Sequence, residues 1–477
     1  MARPSASERR AGQVPAEQEF RKFPDGFQWG VSTASYQIEG AVHEDGRGPS
    51  IWDVFSHTPG ATARGDHGDV ACDHYHRFRE DVMLVRDLGA ASYRFSVAWP
   101  RIQPEGYGPA NQRGLDFYRR LTDELLDAGV EPWLTLYHWD LPQYLEDRGG
   151  WRTRDTAERF ADYAALVHDA LSDRVTWWST LNEPYCVAFL GMATGEHAPG
   201  AREGHGALAA AHHLMVGHGL AVQAMRAQRH GEEKFGITLN MTEARPASVD
   251  PADRAAAERL DLMHNQVFTD PILGGTWPPL EREVWSDITD FGFREPDDLT
   301  LIQQPLDFLG INVYCPTYAK FAPIADPDPR FRTAADIDMV SAAPADLPRT
   351  AMGWPVDATV LTQLLRRLHK DYPGLPPVYI TENGAAYRDV PDATGAVSDP
   401  ERIAYIDSHL GAVQDALAEG IDVQGYFCWS LLDNFEWAYG YTKRFGLVYI
   451  DYDNDLRRIP KSSYHWYRDL IRAQSEN

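Results

Sequence analysis

PWLTLYHWD, residues Pro132–Asp140, is apolar almost throughout and turns polar only at its end. A strand wet on one face alternates apolar with polar residues. A run without alternation reads as a strand buried on both faces. Seven more short runs, apolar or rich in β-formers, lie along the chain: Phe27–Ser32, Ala91–Trp99, Val175–Leu181, Phe235–Asn240, Asp307–Val313, Pro377–Thr381 and Val423–Ser430. Helical spacing fills most of the gaps. Tyr75, Phe78, Val82 and Val85 share one helix face; Phe117, Leu121 and Leu125 share another, closed by Gly129. Leu361, Leu364, Leu365 and Leu368 mark a further face, and Ile403, Ile406, Leu410, Val413 and Leu417 one more. Strands alternating with helices predict a parallel sheet, and eight alternations predict its closure. The expected architecture is α/β: a single (β/α)8 TIM barrel with long βα loops around its mouth. Periodicity alone leaves an open doubly wound sheet as the alternative. The barrel is assigned residues 21–477, and the polar residues 1–20 are expected to form a flexible arm. The stretch from Tyr314 to Met352, with its scattered Pro and Asp, is expected to overhang the mouth.

A chain of 477 residues buries a core that needs no disulfide or metal staple. Lys plus Arg number 45 and Asp plus Glu 70, a net charge of −25. Such a chain repels phosphate backbones and anionic headgroups. Neither nucleic acid nor membrane is expected as a partner; a neutral small molecule is. The 14 Trp and 22 Tyr fit either an aromatic core or flat faces that stack on sugar rings. Cys72, Cys186, Cys315 and Cys428 form no C-x-x-C pair and read as reduced thiols of a cytoplasmic protein. No run resembles a signal peptide or is long enough to span a membrane. P-loop, G-x-G-x-x-G and G-x-S-x-G patterns are all missing, and no cofactor is expected. His74 and His76 lie two apart on an expected helix and face different ways, and His212 and His213 are adjacent. No metal site is therefore predicted, with His67 included in that reading.

Polar residues gather where the strands should end. His138, Trp139 and Asp140 close the third run; Asn182 and Glu183 follow the fourth; Asn312 and Tyr314 close the sixth; Glu382 and Asn383 follow the seventh. Trp429 ends the eighth, with Asp433, Asn434, Glu436 and Trp437 beyond it. A barrel collects strand C-termini on one face, so residues far apart in sequence meet there. Glu183 and Glu382, each taken alone, fit a structural ion pair as well as a catalytic carboxyl. Together, among amides and aromatics, they are what glycoside cleavage uses. One carboxyl protonates the leaving oxygen while the other attacks or guides water.

TLNEP (Thr180–Pro184) and ITENG (Ile380–Gly384) resemble the paired motifs of glycoside hydrolase family 1, the β-glucosidase family. So do FQWGVSTASYQIEGA (Phe27–Ala41), DHYHRFREDV (Asp73–Val82), YRFSVAWPRI (Tyr93–Ile102), LYHWDLPQ (Leu136–Gln143), MGWPV (Met352–Val356) and DNFEWAYGYTKRFGLVYID (Asp433–Asp451). The resemblance runs in register from about Phe20 to Tyr467. It implies a retaining β-glucosidase acting on small β-glycosides and cello-oligosaccharides, with Glu183 as acid/base and Glu382 as nucleophile. Arg94, Asn182 and Tyr314 would support them. Asn182 would meet the sugar's 2-hydroxyl, Gln37 and His138 the 3-hydroxyl, and Glu436 the 4- and 6-hydroxyls. Asn312 would also border the sugar. Trp429 would be the stacking platform, with Trp437 and Phe445 beside it and Trp139 packed nearby. Tyr185, Cys186, Leu190, His197, Asn240 and Trp354 would line the leaving-group side. Many relatives carry Trp where this chain has Tyr185, which bears on leaving-group preference. The resemblance also implies a cis bond between Trp429 and Ser430. A transglycosidase would share every catalytic residue, while a non-catalytic sugar-binding scaffold would be expected to have lost a catalytic glutamate.

Overall fold

A computed structural model describes residues 20–323, 337–338 and 343–474. Nearly all of the expected N-terminal arm, and the middle of the segment between Tyr314 and Met352, lie outside the described residues. Eight parallel strands close a barrel: β1 Gln28–Ser32, β2 Ser92–Ser96, β3 Glu131–Tyr137, β4 Trp177–Asn182, β5 Lys234–Asn240, β6 Phe308–Asn312, β7 Val378–Asn383 and β8 Val423–Trp429. Each pairs with its neighbours in chain order, and β1 closes on β8 with Gln28 opposite Gly425 and Ser32 opposite Trp429. All eight expected runs carry a strand, and the open sheet is excluded. The run Ala91–Trp99 overreaches its strand: beyond Ser96 the chain turns, and Trp99–Ile102 is a helical turn with Pro100 in its first positions.

Long helices return the chain around the outside. They are α1 His74–Leu88, α2 Gln112–Asp127, α3 Arg154–Leu171, α4 Gly204–Ala227, α5 Pro251–Asp261, α6 Thr359–Asp371, α7 Pro400–Ala418 and α8 Ser462–Gln474. The apolar stripes read from the sequence face inward. Phe117, Leu121 and Leu125 of α2 are buried, and so are Leu361, Leu364, Leu365 and Leu368 of α6. Leucine stripes of this kind bind a helix to the barrel wall at roughly 1.5–3 kcal/mol per buried side chain. Gly89 ends α1 in the left-handed region at φ 80°, a geometry that favours glycine. Among the described residues, no helix is long and apolar enough to cross a membrane.

Trp133, Phe308, Tyr379 and Phe427 fill the barrel interior, with Trp177 stacked on Trp133 at 4.3 Å between ring centres. The Phe427 ring crowds β1 so closely that a Cβ on Gly30 would stand 2.3 Å from it. This plug gives the barrel a floor, and the polar side chains sit above it.

A buried ion network ties the loops at the mouth together. Lys461, wholly buried before α8, donates to Asp389 at 2.5 Å and to Asp433 at 2.7 Å. Arg402 of α7 donates to Asp389 at 2.7 Å, and Arg444 to Asp433 at 2.7 Å. Asp433 and Arg444 thereby clamp the two ends of the loop that carries Glu436 and Trp437. Removing one member of a buried ion set leaves its partners' charge uncompensated, at about 3–5 kcal/mol. Lys461→Met should therefore lower unfolding stability by about that amount in denaturant titrations. Lys370→Met, on the exposed face of α6, should change it by less than about 0.5 kcal/mol.

Candidate active site

Strand side chains alternate between faces, so consecutive residues do not normally enter one site. Here they do, because the strand ends are irregular. The β4–β5 register shifts between Ser179 and Asn182, and Glu183 follows with φ 50°. The Glu183 N–H still bonds to the Thr238 carbonyl at 2.9 Å. The result presents Asn182 and Glu183 side by side. In β7 the register shifts beyond Ile380 against both neighbours, so Glu382 projects inward from a locally bent strand. Trp139 has φ 81° and Trp437 φ 48°. Non-glycine residues rarely adopt this backbone, and they concentrate at functional sites. Gly384, just past Glu382, lies so near the Trp429 carbonyl that a Cβ would stand 1.8 Å from its oxygen. The peptide bond from Trp429 to Ser430 is cis, as the family resemblance implied.

A chain of hydrogen bonds links the two carboxyls. Arg94, fully buried in β2, donates to Glu382 Oε1 and to Asn182 Oδ1, both at 2.6 Å. Asn312 Nδ2 donates to the same Asn182 oxygen at 3.0 Å and to Glu183 Oε1 at 2.7 Å. The Thr381 hydroxyl fixes the Asn312 amide by donating to its oxygen at 2.7 Å. The Tyr314 hydroxyl donates to Glu382 Oε2 at 2.6 Å, and the Cys186 thiol to Glu183 Oε2 at 3.3 Å.

The two carboxyls differ in proton affinity. Burial, then the negative charge of Glu382, raises Glu183 to about 8. Burial also raises Glu382, but Arg94, Tyr314 and Asn312 pull it back. The lowering groups offset desolvation without reversing it. A single shared proton therefore resides on Glu183. His138 is driven well below its ordinary value by burial and by Arg94, so its ring is neutral.

Above the carboxyls opens a cavity of about 300 Å³, of the size that takes a small molecule. His138, Trp139, Asn312, Tyr314, Trp429, Glu436, Trp437 and Phe445 line it with Glu183 and Glu382. All six residues expected on the leaving-group side, Tyr185, Cys186, Leu190, His197, Asn240 and Trp354, line it too. Gln37, Arg94 and Asn182 sit behind this wall, wholly buried. Among the described residues, three buried polar atoms on one side have no partner: Gln37 Oε1, His138 Nδ1 and Glu436 Oε2. Because the Asn182 oxygen accepts from Arg94 and Asn312, its amide nitrogen must donate to His138 Nε2, 3.1 Å away. The neutral ring then carries its proton on Nδ1, as an unused donor. Burial, with Glu382 and Glu183, lifts Glu436 to about 8, so near neutral pH it is mostly a carboxylic acid that can also donate.

His264 is a wall residue the sequence reading did not identify. It stacks on Tyr185 at 3.9 Å and accepts from Asn240 Nδ2 at 3.1 Å. It lies on Leu262–Gln266, a π-helical segment after α5, and no strand end points to it. Glu196 and Met241 likewise line the cavity from loops without a motif, and Tyr439 lines it from the short helical segment Trp437–Thr442. Among the described residues, no Lys or Arg lines it.

A barrel whose open face joins two buried carboxyls through amides, beneath aromatic walls, is a glycoside-cleaving type of site. The chain belongs to glycosyl hydrolase family 1, whose model matches residues 19–476. It is 50% identical to the thermostable beta-glucosidase B of Thermobispora bispora, over 94% of this chain and 90% of that protein. It is 48% identical to a bifunctional beta-D-glucosidase/beta-D-fucosidase of Bifidobacterium breve, over 95% of this chain and 99% of that one. Among solved structures, beta-glucosidase from Thermotoga maritima in complex with glucoimidazole superposes with a TM-score of 0.88 at 45% identity, over 95% and 99% of the two chains.

Since Glu382 raises Glu183 by its charge, removing that charge must lower it. The Glu183 carboxyl should titrate near 8 in the wild-type protein and clearly lower in Glu382→Gln, read by 13C NMR of labelled glutamate. In the wild type, kcat/KM should fall on the alkaline side with a midpoint near that same value.

Proposed function

We propose that Glu382 is the nucleophile and Glu183 the acid/base in the double displacement by which this β-glucosidase removes terminal β-D-glucosyl residues. The family retains anomeric configuration. The observation that carries the assignment is the bonded path from Glu382 through Arg94, Asn182 and Asn312 to Glu183. It gives the two carboxyls different partners, and so different protonation states, within one pocket.

The proton on Glu183 passes to the glycosidic oxygen as Glu382 attacks the anomeric carbon. In the resulting ester Glu382 is neutral, and the charge that raised Glu183 is gone. Glu183 then ionises and takes a proton from the water that cleaves the ester. Arg94 and the Tyr314 hydroxyl keep Glu382 aimed and favour its return as leaving carboxylate.

The orphan atoms support the sugar assignments. We assign Gln37 and His138 Nδ1 to the 3-hydroxyl, Glu436 to the 4- and 6-hydroxyls, and Asn182 to the 2-hydroxyl. Each buried atom without a partner costs about 1–3 kcal/mol, which a sugar hydroxyl recovers on binding. Trp429, packed with Phe445 and Ala386, is the stacking platform. The leaving group lies against Tyr185, His264 and Trp354. Natural substrates are small β-glycosides, cello-oligosaccharides among them. We also assign the protein to the cytoplasm, on its four unbridged cysteines.

Glu382→Ala should abolish turnover of every glycoside. Glu183→Ala should cost about 10²–10⁴-fold on poor leaving groups and far less on dinitrophenyl glucoside in the first step. Azide should then restore its turnover and yield β-glucosyl azide. Equal loss on good and poor leaving groups, without azide rescue, would overturn the assignment.

A further inference from the structure

His57, His67 and Asp69 meet on the loop between the short helix Ile51–Ser56 and α1, with one donor atom from each within 4.8 Å of the others. His57 Nε2 stands 3.3 Å from Asp69 Oδ2, and His67 Nδ1 stands 3.2 Å from Asp69 Oδ1. Two donors on one ion, at bond lengths of about 2.0–2.1 Å, are about 3.3 Å apart in tetrahedral geometry. The two histidine–aspartate pairs already have that spacing, and the two imidazole donors lie within 4.8 Å of each other. The two imidazoles lie face to face, 4.6 Å between centres.

Two further observations point to a bound cation. The His57 ring is locked: its Nδ1–H donates to the Asp53 carbonyl at 2.7 Å. In the neutral ring this leaves the Nε2 lone pair aimed at a carboxylate oxygen, and a backbone carbonyl on the far nitrogen is how proteins orient metal-binding histidines. In addition, Asp69 Oδ1 is buried and accepts no hydrogen bond from the described residues.

We propose that His57 Nε2, His67 Nδ1 and the Asp69 carboxylate bind one divalent transition-metal ion of the Zn2+ type, with water completing the shell. Two imidazoles and one carboxylate suit zinc and its neighbours and not calcium or magnesium. His74 and His76 take no part: His74 is held by Asp81, and His76 by Asp73 and Glu44.

The site has structural reach. Between its ligands, Asp66 Oδ2 accepts from the Tyr441 N–H at 2.9 Å, and the Tyr441 hydroxyl donates to the His67 carbonyl at 2.8 Å. Gly440 fits against Asp66 with no room for a Cβ, which would stand 2.4 Å from Oδ2. These contacts latch the metal loop onto Trp437–Thr442, the segment that follows Glu436. The ion would staple that loop against the cavity wall. Its place is structural, since it touches neither carboxyl of the cavity.

The test uses the full-length protein and two metals. Co2+ should give visible d–d absorption of a four-coordinate site at one equivalent. Zn2+ at a hundredfold excess over its Kd should raise Tm by about 3 °C. Both signals should vanish in His57→Gln and in His67→Gln, whose side chains are about half exposed and whose metal-free activity should stay unchanged. Both should persist in Glu382→Gln, which would weaken any ion held by the catalytic carboxyls. Absence of the Co2+ bands from the wild type would overturn the site. So would bands that survive both histidine replacements, or bands that depend on Glu382.

Discussion

The site depends on one buried cation. Arg94 is wholly inaccessible, and its two terminal nitrogens face Glu382 and Asn182 at equal 2.6 Å distances. Burying a guanidinium costs several kcal/mol unless charge and geometry return it. Here that return is an ionised Glu382 under a cavity that, among the described residues, no Lys or Arg lines. Glu183 and Glu436 are neighbours of the same sign, and both are pushed up to about 8. Without Arg94, three carboxyls would compete for protons in a low-dielectric pocket and Glu382 would be protonated with the rest. The arginine sits mid-strand in β2, where packing fixes it from every side.

The barrel supplies convergence, and its irregularities supply aim. Ideal strands would deliver alternate side chains to the mouth. The register shifts in β4 and β7, with left-handed backbone at Trp139, Glu183 and Trp437, deliver adjacent ones instead. The ion network of Lys461, Asp389, Asp433, Arg402 and Arg444 then holds the loop beyond β8 at both ends. Position at the mouth is thus over-determined by residues that do not themselves line the cavity.

Much of this was legible in the sequence. Strands buried on both faces announce themselves as apolar or β-rich runs, and each of the eight runs carries one. Strand-end polar residues announced the cavity. The tryptophans divide between the two meanings their abundance allowed: Trp52, Trp99, Trp133, Trp151, Trp178 and Trp285 are wholly buried core, while Trp139, Trp354, Trp429 and Trp437 line the cavity. Three things were not legible. Bulges leave no residue signature, so the side-by-side projection of Asn182 and Glu183 could not be read. His264 arrives from a helical segment whose spacing says only that it is helical. His57, His67 and Asp69 are joined by a loop fold, whereas spacing drew attention to His74 and His76, which are engaged elsewhere.

The central claim is that the carboxylate held by Arg94 is the one that bonds to sugar. A 2-deoxy-2-fluoro-β-glucoside with a good leaving group slows hydrolysis of the covalent intermediate and lets it accumulate. After inactivation, peptide mapping by mass spectrometry should find one fluoroglucosyl group per chain, esterified to Glu382. A label on Glu183 or Glu436, or inactivation without a covalent label, would contradict the account.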